Sequence, residues 1–189
     1  MLKFISKLLG GNKSEKDVKV LEPVVTQINQ YFQQYQSLSN DGLRSKTQEF
    51  KQRINEYLKD IDATIESKKQ SAEALPEAEI QGRDTIYQEV DQLIKDRDKK
   101  IEEILEKLLP EAFAVVKETA HRFKDNTELE VTATQHDRDL SVKKEYIRIE
   151  GDKAIYRNSW TAGGGQVTWN MMHYDVQLIG GMVLHEGKI

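Results

Sequence analysis

Two long amphipathic segments constrain the fold of this 189-residue chain more than any other feature. Their apolar residues recur every three or four positions, which is the period of one face of an α-helix. These residues are Leu43, Phe50, Ile54, Tyr57 or Leu58, Ile61 and Ile65 in the first segment, and Ile86, Val90, Leu93, Ile94, Ile101, Ile104, Leu105 and Leu108 in the second. A break at residues 71–77, which contains Pro76, separates the two segments. We therefore predict an antiparallel helical hairpin over about residues 43–108.

The charge pattern of this hairpin predicts that most of its surface is exposed. Lys, Asp and Glu side chains fill the faces that the apolar residues leave, and we interpret them as solvated faces. A helix of about thirty residues is about 45 Å long, which is too long to be hidden in a small core. We expect the hairpin to project from the rest of the chain or to pack along a partner.

Helical periodicity continues on both sides of the hairpin, so the predicted helical region spans about residues 20–122. Apolar residues between Val20 and Tyr35 follow one helix face, and Pro23 is acceptable only in the first turn of that helix. Residues 38–42 supply a break and a candidate N-cap for the helix that follows. Pro110 is well placed in the first turn of a further helix over about residues 111–122.

Residues 123–170 change to the pattern of short β-strands. The β-like runs are residues 129–132, 146–149, 154–156 and 167–169. Gly151-Asp152 predicts a hairpin turn, and the Ala-Gly-Gly-Gly run at residues 162–165 predicts a second turn or a flexible loop. Trp160 and Trp169 flank that run and could pair across the strands. The predicted fold class is α+β and mainly α: a long antiparallel helical hairpin plus a small antiparallel β insert.

Composition excludes several classes of function. The formal net charge of −4 argues against nucleic acid as the main partner, because phosphate-binding domains usually carry a basic excess. The chain contains no cysteine, so disulfides, thiol catalysis and cysteine zinc sites are excluded within it. The four histidines show no metal-ligand spacing, and we predict no metal site. No apolar stretch reaches the roughly 18 residues that a membrane span needs.

The first twelve residues predict a short amphipathic helix with a basic side. Leu2, Ile5 and Leu9 lie on one face, Phe4 and Leu8 widen that face, and Lys3 and Lys7 lie elsewhere. Such a helix can bind an anionic membrane through apolar burial and about 1 kcal/mol per basic side chain. It can equally dock on its own domain. The candidate membrane contacts are Leu2, Lys3, Phe4, Ile5, Lys7 and Leu8.

Three blocks resemble one family in the same order along the chain. They are LSNDGLRSKTQEFKQRI at residues 38–54, LPEAFAVVK at residues 109–117 and MMHYDVQLIGGMVL at residues 171–184. All three are similar to the SecA family of preprotein translocase ATPases, with Gly42 and Met172 departing from the family's usual residues. Two segments separate these blocks, the predicted hairpin and the β-like stretch, and we interpret both as insertions.

The resemblance implies that residues 171–189 open a RecA-like nucleotide-binding domain for ATP, as Mg-ATP in the full-length protein. Gln177 matches the family's adenine-recognising glutamine, and Met171 and Tyr174 are candidates to contact the same ring. A carboxamide suits that role because its acceptor and donors match adenine N6 and N7.

The same resemblance implies partners and a location. The partners are the SecYEG channel, secretory preproteins and anionic phospholipids, with a homodimer as one option and no nucleic acid. The location is cytoplasmic, and peripheral on the cytoplasmic face of the inner membrane. The alternative hypothesis is a non-enzymatic, membrane-associated helical adaptor or scaffold.

The chain carries no predicted catalytic residue. A phosphate-binding loop requires Gly, four residues and then Gly-Lys-Ser/Thr. Gly187-Lys188 fails this pattern twice, because Met182 stands at the first glycine position and Ile189 follows the lysine. We therefore expect the 189 residues alone not to hydrolyse ATP. We also expect the chain to end in a strand that lacks a partner.

Overall fold

The computed structural model describes residues 13–76 and 79–187, with side chains from residue 18 onward. The predicted N-terminal helix at residues 1–12 therefore lies outside the described residues. The helices are α1 (Lys13–Tyr35), α2 (Asn40–Glu73), α3 (Ile80–Asp125), α4 (Gln135–Ser141) and α5 (Asp175–His185). The strands are β1 (Glu128–Thr132), β2 (Ile147–Glu150), β3 (Lys153–Arg157), β4 (Ser159–Ala162) and β5 (Gly165–Thr168). The predicted class, mainly α with small antiparallel sheets, is confirmed.

The chain divides into two compact units, which we call the hairpin unit (residues 46–109) and the mixed unit (residues 1–45 and 110–189). Within the hairpin unit, Leu58, Ile65 and Ala72 of α2 are buried at seven-residue spacing. The buried residues of α3 in this unit are Val90, Ile104 and, at the end of the unit, Leu108. This is the narrow seam that a two-helix coiled coil requires.

Polar pairs fix the register of the two helices in the hairpin unit. The Tyr57 hydroxyl donates to Glu103 Oε2 at 2.7 Å. Asp62 pairs with Arg97, and Lys68 pairs with Glu89. Residue numbers that rise along α2 meet numbers that fall along α3, so the predicted antiparallel hairpin is confirmed.

Both predictions about prolines are wrong. The first helix begins at Lys13, so Pro23 lies in its interior and not in its first turn. Pro110 lies inside α3, which runs without interruption for 46 residues, so no separate helix begins there. Each proline removes one backbone donor. Burial of Leu108 and Ala114 on the two sides of Pro110 keeps the chain helical, because packing outweighs local propensity.

In the mixed unit, the polar start of α2 covers the outer edge of β1. Ser39 caps the helix by accepting from the Gly42 N–H at 3.0 Å, as the break at residues 38–42 predicts. Asn40 Nδ2 donates to the Glu130 carbonyl at 3.0 Å. Asp41 accepts from the backbone N–H of Thr132 at 2.9 Å and from its hydroxyl at 2.7 Å. These bonds satisfy strand groups that would otherwise form an open edge.

The β region contains two separate antiparallel sheets. The three-stranded sheet has the order β1-β3-β2, and β4 pairs with β5 in the other. Gly151 begins the β2–β3 turn with a φ of 63°, and Gly163 and Gly164 form the β4–β5 turn with φ values of 57° and 80°. Both predicted turns are confirmed, since these left-handed conformations favour glycine.

Three details of this region differ from the predictions. Trp160 pairs with Val167 across the strands. The backbone N–H of Trp169 donates to the Asn158 carbonyl beyond the strand end, so the two tryptophans are not cross-strand partners. The seven-residue helix α4 lies within the stretch predicted to be β. Residues 175–185 form a helix, so the predicted final strand is wrong. No helix in the described part of the chain is long and apolar enough to cross a membrane.

Candidate functional site

The candidate site lies at the start of α5, which packs into the mixed unit through one apolar face. Leu178 and Met182 of α5 are buried at four-residue spacing. Gly181 faces the ring of Phe113, and a Cβ at this position would lie 2.9 Å from Phe113 Cε1. The second and third blocks of the sequence are therefore in direct contact, and the lack of a side chain at Gly181 permits that contact.

A polar cluster around the buried Lys117 contacts the first residue of α5. Lys117 exposes only 7% of its side chain, and its Nζ lies 2.7 Å from Asn29 Oδ1 and 3.5 Å from Asp175 Oδ1. Asn29 Nδ2 also donates to Asp175 Oδ1 at 3.1 Å. Lys117 Nζ lies 5.2 Å from the centre of the Phe32 ring, a cation–π contact. Because Asp175 opens α5, this cluster sets where the helix begins.

Gln177 lies in the first turn of α5, and its side chain closes that turn. Its Oε1 accepts from the Tyr174 N–H at 2.9 Å. This bond uses one of the two lone pairs on the amide oxygen of Gln177. It uses neither of the hydrogens on the amide nitrogen. Both Gln177 and Tyr174 are exposed. The cap holds the carboxamide in one orientation at the surface.

The structure brings two of the three predicted adenine contacts together. Tyr174 and Gln177 are joined by the cap, whereas Met171 is anchored through its backbone, where its carbonyl accepts from Trp169 Nε1 at 2.9 Å. The Met171 side chain is exposed. Lys117 and Asn29 were not predicted as site residues, because their contact with Asp175 joins positions far apart in the sequence.

A separate groove of about 890 Å³ lies elsewhere in the mixed unit. Its walls include Phe123, Tyr146, Trp160 and Trp169, and His173 also lines it. His173 Nδ1 is buried and has no hydrogen-bond partner among the described residues. Met171, Tyr174 and Gln177 are not among the lining residues, so the groove is distinct from the candidate adenine contacts. Within residues 13–76 and 79–187, no group of three or more His, Asp or Glu is placed to hold a metal ion.

The adjacent glycines of α5 provide a matched test of its docking. A Cβ at Gly180 would meet nothing within 4 Å, whereas a Cβ at Gly181 would press on Phe113. Gly180→Ala should raise the free energy of unfolding by up to about 1 kcal/mol through helix propensity. Gly181→Ala gains the same propensity but adds an overpacking cost of about 1–3 kcal/mol. Urea unfolding followed by tryptophan fluorescence should show Gly181→Ala about 2 kcal/mol less stable than Gly180→Ala; equal stabilities would contradict this packing.

Comparisons with known proteins all indicate one family. The SecA DEAD-like domain family matches residues 5–189. The protein translocase subunit SecA of Parabacteroides distasonis is 48% identical over 186 residues, which cover 98% of this chain and 16% of that protein. The same subunit of Flavobacterium psychrophilum is 47% identical over 185 residues, covering 98% of this chain and 16% of that protein. That of Christiangramia forsetii is 46% identical over 189 residues, covering 100% and 17%.

These alignments extend across the helical hairpin and the β region, so both segments are shared with these relatives. The chain spans about a sixth of the length of the curated relatives it matches. No solved structure matches it. The family match over residues 5–189, together with identities of 46–48% across almost the whole chain, shows that this chain belongs to the SecA family.

Proposed function

We propose that this chain is the amino-terminal part of a SecA motor that couples ATP hydrolysis to the translocation of secretory preproteins through the SecYEG channel. Its contribution is recognition of the adenine ring of ATP by the start of α5. The observation that carries the proposal is the position of Gln177, whose carboxamide is exposed and is oriented by its bond to the Tyr174 N–H.

The chemistry of Gln177 fits an adenine edge. Adenine presents an N6 amino donor beside the N7 acceptor, and a carboxamide can pair with both at once. The second lone pair of Gln177 Oε1 can accept from N6, while an Nε2 hydrogen donates to N7. Tyr174 and Met171 supply exposed aromatic and apolar surface next to that edge. Lys117 and Asn29 act at a distance, by fixing Asp175 and with it the first turn of α5.

The remaining functions of the motor require residues outside these 189. The sequence contains no phosphate-binding loop of the form Gly, four residues, Gly-Lys-Ser/Thr. The groups that bind magnesium and activate water belong to the longer protein, so we expect these 189 residues alone not to hydrolyse ATP. Residues 1–12, through their apolar face, Lys3 and Lys7, contact the anionic cytoplasmic membrane surface or the channel.

The adenine contact is tested with Gln177→Glu in a full-length protein that carries this sequence. A glutamate keeps the acceptor for the Tyr174 N–H, and its charge is favourable at a helix N-terminus, so α5 should remain folded. It cannot donate to adenine N7, however. We expect the Kd for ADP, measured by isothermal titration calorimetry, to rise about tenfold or more, since a good base contact contributes about 1–3 kcal/mol.

The matched control for this variant is Gln166→Glu, which adds the same charge at an exposed position of β5. Its Kd for ADP should stay within about twofold of the unmodified protein. If Gln177→Glu binds ADP as tightly as this control does, Gln177 does not recognise the base.

A further inference from the structure

One flank of α3 in the hairpin unit carries a row of apolar side chains that lie beside the hairpin seam and stay partly exposed. Ile80, Tyr87, Ile94 and Ile101 recur every seven residues, and we call them the apolar row. Their spacing is about 10.5 Å along the helix, and a seven-residue repeat drifts only about 20° per heptad around its axis. The first three are 67%, 40% and 38% exposed, and Ile101 is half-buried.

The fully buried residues of the hairpin seam are distinct from the apolar row. Val90 and Ile104 are buried in the seam, three residues after Tyr87 and Ile101. The seam is closed by the buried residues of α2. Isolated exposed apolar residues are normal on a protein surface. Four at a constant seven-residue spacing on one helix instead form the stripe against which another helix packs.

An acidic row runs beside the apolar row. Asp84, Asp91 and Asp98 each follow a residue of the apolar row by four positions, and all three are exposed. None has a hydrogen-bond or salt-bridge partner among the described residues. Elsewhere on α3, Glu89 is paired with Lys68 and Glu103 is paired with Tyr57. Asp84, Asp91 and Asp98 therefore place three unpaired carboxylates next to the apolar row.

We propose that this flank of α3 binds a basic amphipathic α-helix of a protein partner. The partner's apolar residues would pack on Ile80, Tyr87, Ile94 and Ile101, and its Lys or Arg side chains would pair with the three aspartates. Flanking charges of opposite sign select partners in helix–helix recognition, and like charges reject them. A second copy of this chain, packed antiparallel, would bring acidic row against acidic row, so the charge pattern favours a different, basic partner.

The test uses the full chain and two synthetic peptides of about three heptads. Both peptides have leucine at the two apolar positions of each heptad; one has lysine at the flanking positions and the other has glutamate. In fluorescence anisotropy at low salt, the lysine peptide should bind at least tenfold more tightly than the glutamate peptide. This preference should shrink as the salt concentration rises.

Charge variants test whether the three aspartates form the binding site. Combining Asp84→Asn, Asp91→Asn and Asp98→Asn should reduce the preference for the lysine peptide to about threefold or less. The matched control, Glu49→Gln with Glu56→Gln and Asp60→Asn, removes three acidic charges from α2 of the same hairpin and should keep the full preference. If the two triple variants lose the preference equally, the lysine peptide responds only to net charge and the proposed site is wrong.

Apolar variants test the second half of the surface. Tyr87→Ser with Ile94→Ser should weaken lysine-peptide binding at least tenfold with unchanged helix content by circular dichroism. Val142→Ser with Val176→Ser, at exposed positions of the mixed unit, should leave binding unchanged. The proposal would be overturned if Tyr87→Ser with Ile94→Ser bound the lysine peptide as tightly as the unmodified chain. It would also be overturned if the unmodified chain were a dimer that this double variant converts to a monomer. No step involves nucleotide, so this outcome is independent of the adenine contact.

Discussion

Asp137→Ala is expected to lower the free energy of unfolding of the mixed unit by about 3 kcal/mol, one of the two largest effects in this chain. The Asp137 side chain is 0% exposed. Its Oδ1 accepts from Arg44 at 2.7 Å and from the Tyr156 hydroxyl, and its Oδ2 accepts from the backbone and hydroxyl of Thr134 at 2.7 and 2.8 Å. Removing the carboxylate leaves donors from Arg44 in α2, Thr134 at the N-cap of α4 and Tyr156 in β3 without their acceptor. Losing one partner of a buried ion pair costs about 3–5 kcal/mol. The partial exposure of Arg44 places the effect at the lower end of that range.

The pH dependence of unfolding gives an independent signature of Asp137. Burial alone would raise the pKa of Asp137, but the hydrogen bonds from Arg44, Tyr156 and Thr134 outweigh it and hold that pKa well below its usual value. The stabilisation is therefore fully present above about pH 4, the ordinary pKa of an aspartate, and is lost as the pH falls toward the lowered folded pKa. Burial, with the bond to Asp137, raises the pKa of Tyr156 to about 12.

Urea unfolding followed by the fluorescence of Trp160 and Trp169 measures this prediction, because both tryptophans lie in the mixed unit. Below pH 4, Asp137→Ala should show a shallower loss of stability with falling pH than the unmodified chain. Asp139→Asn is the matched control, since Asp139 is exposed on the same short helix, and should change stability by less than about 0.5 kcal/mol. A similar small effect of Asp137→Ala would show that the buried cluster does not stabilise the fold.

Arg122→Ala is expected to lower the free energy of unfolding by about 3–4 kcal/mol, the other large effect. The guanidinium of Arg122 donates to Glu118 Oε1 at 2.7 Å and to Asn40 Oδ1 at 2.7 Å. It also donates to the carbonyls of Tyr35 and Leu38 at 3.0 and 2.8 Å, where α1 ends. Four acceptors lose their donor in the variant, and one of them belongs to the buried carboxylate of Glu118.

Two further variants separate the geometry of Arg122 from its charge. Arg122→Lys keeps the charge, but its single ammonium cannot reproduce the planar fork, so an intermediate loss of about 1–2 kcal/mol is expected. Lys124→Ala, two residues along α3 and exposed, should be nearly neutral in the same urea experiment. Equal stability of Arg122→Ala and Lys124→Ala would contradict the proposed role of Arg122 at the end of α1.

Local periodicity and turn chemistry were enough to predict most elements of this fold. The hairpin seam, the α1 face and the glycine turns all follow from patterns within about ten residues. The continuous helix through Pro110 does not follow from such a local pattern, because burial on both sides of the proline keeps the chain helical there. The short helix α4 was missed because seven residues hold too little periodicity. Its capping box of Thr134 and Asp137, three positions apart, was the available signal.

Part of the candidate site can be predicted from a local sequence block, and part depends on residues that are distant in the sequence. Gln177, Tyr174 and Met171 lie in one block whose resemblance to the SecA family identifies them. The contacts that hold this block depend on Lys117, Asn29 and Phe113, whose sequence positions carry no mark of that role. Long-range pairs of this kind are visible only once the helices are packed.

The base selectivity of nucleotide binding tests the central claim most directly. In a full-length protein carrying this sequence, the measurement is the ratio of Kd for inosine diphosphate to Kd for ADP, with and without Gln177→Ala. Inosine lacks the N6 amino donor, so recognition by Gln177 predicts a ratio of about ten or more in the unmodified protein. The ratio cancels any general loss of folded protein, and it should fall to about one in the variant. An unchanged high ratio in Gln177→Ala would contradict the claim that this residue selects adenine.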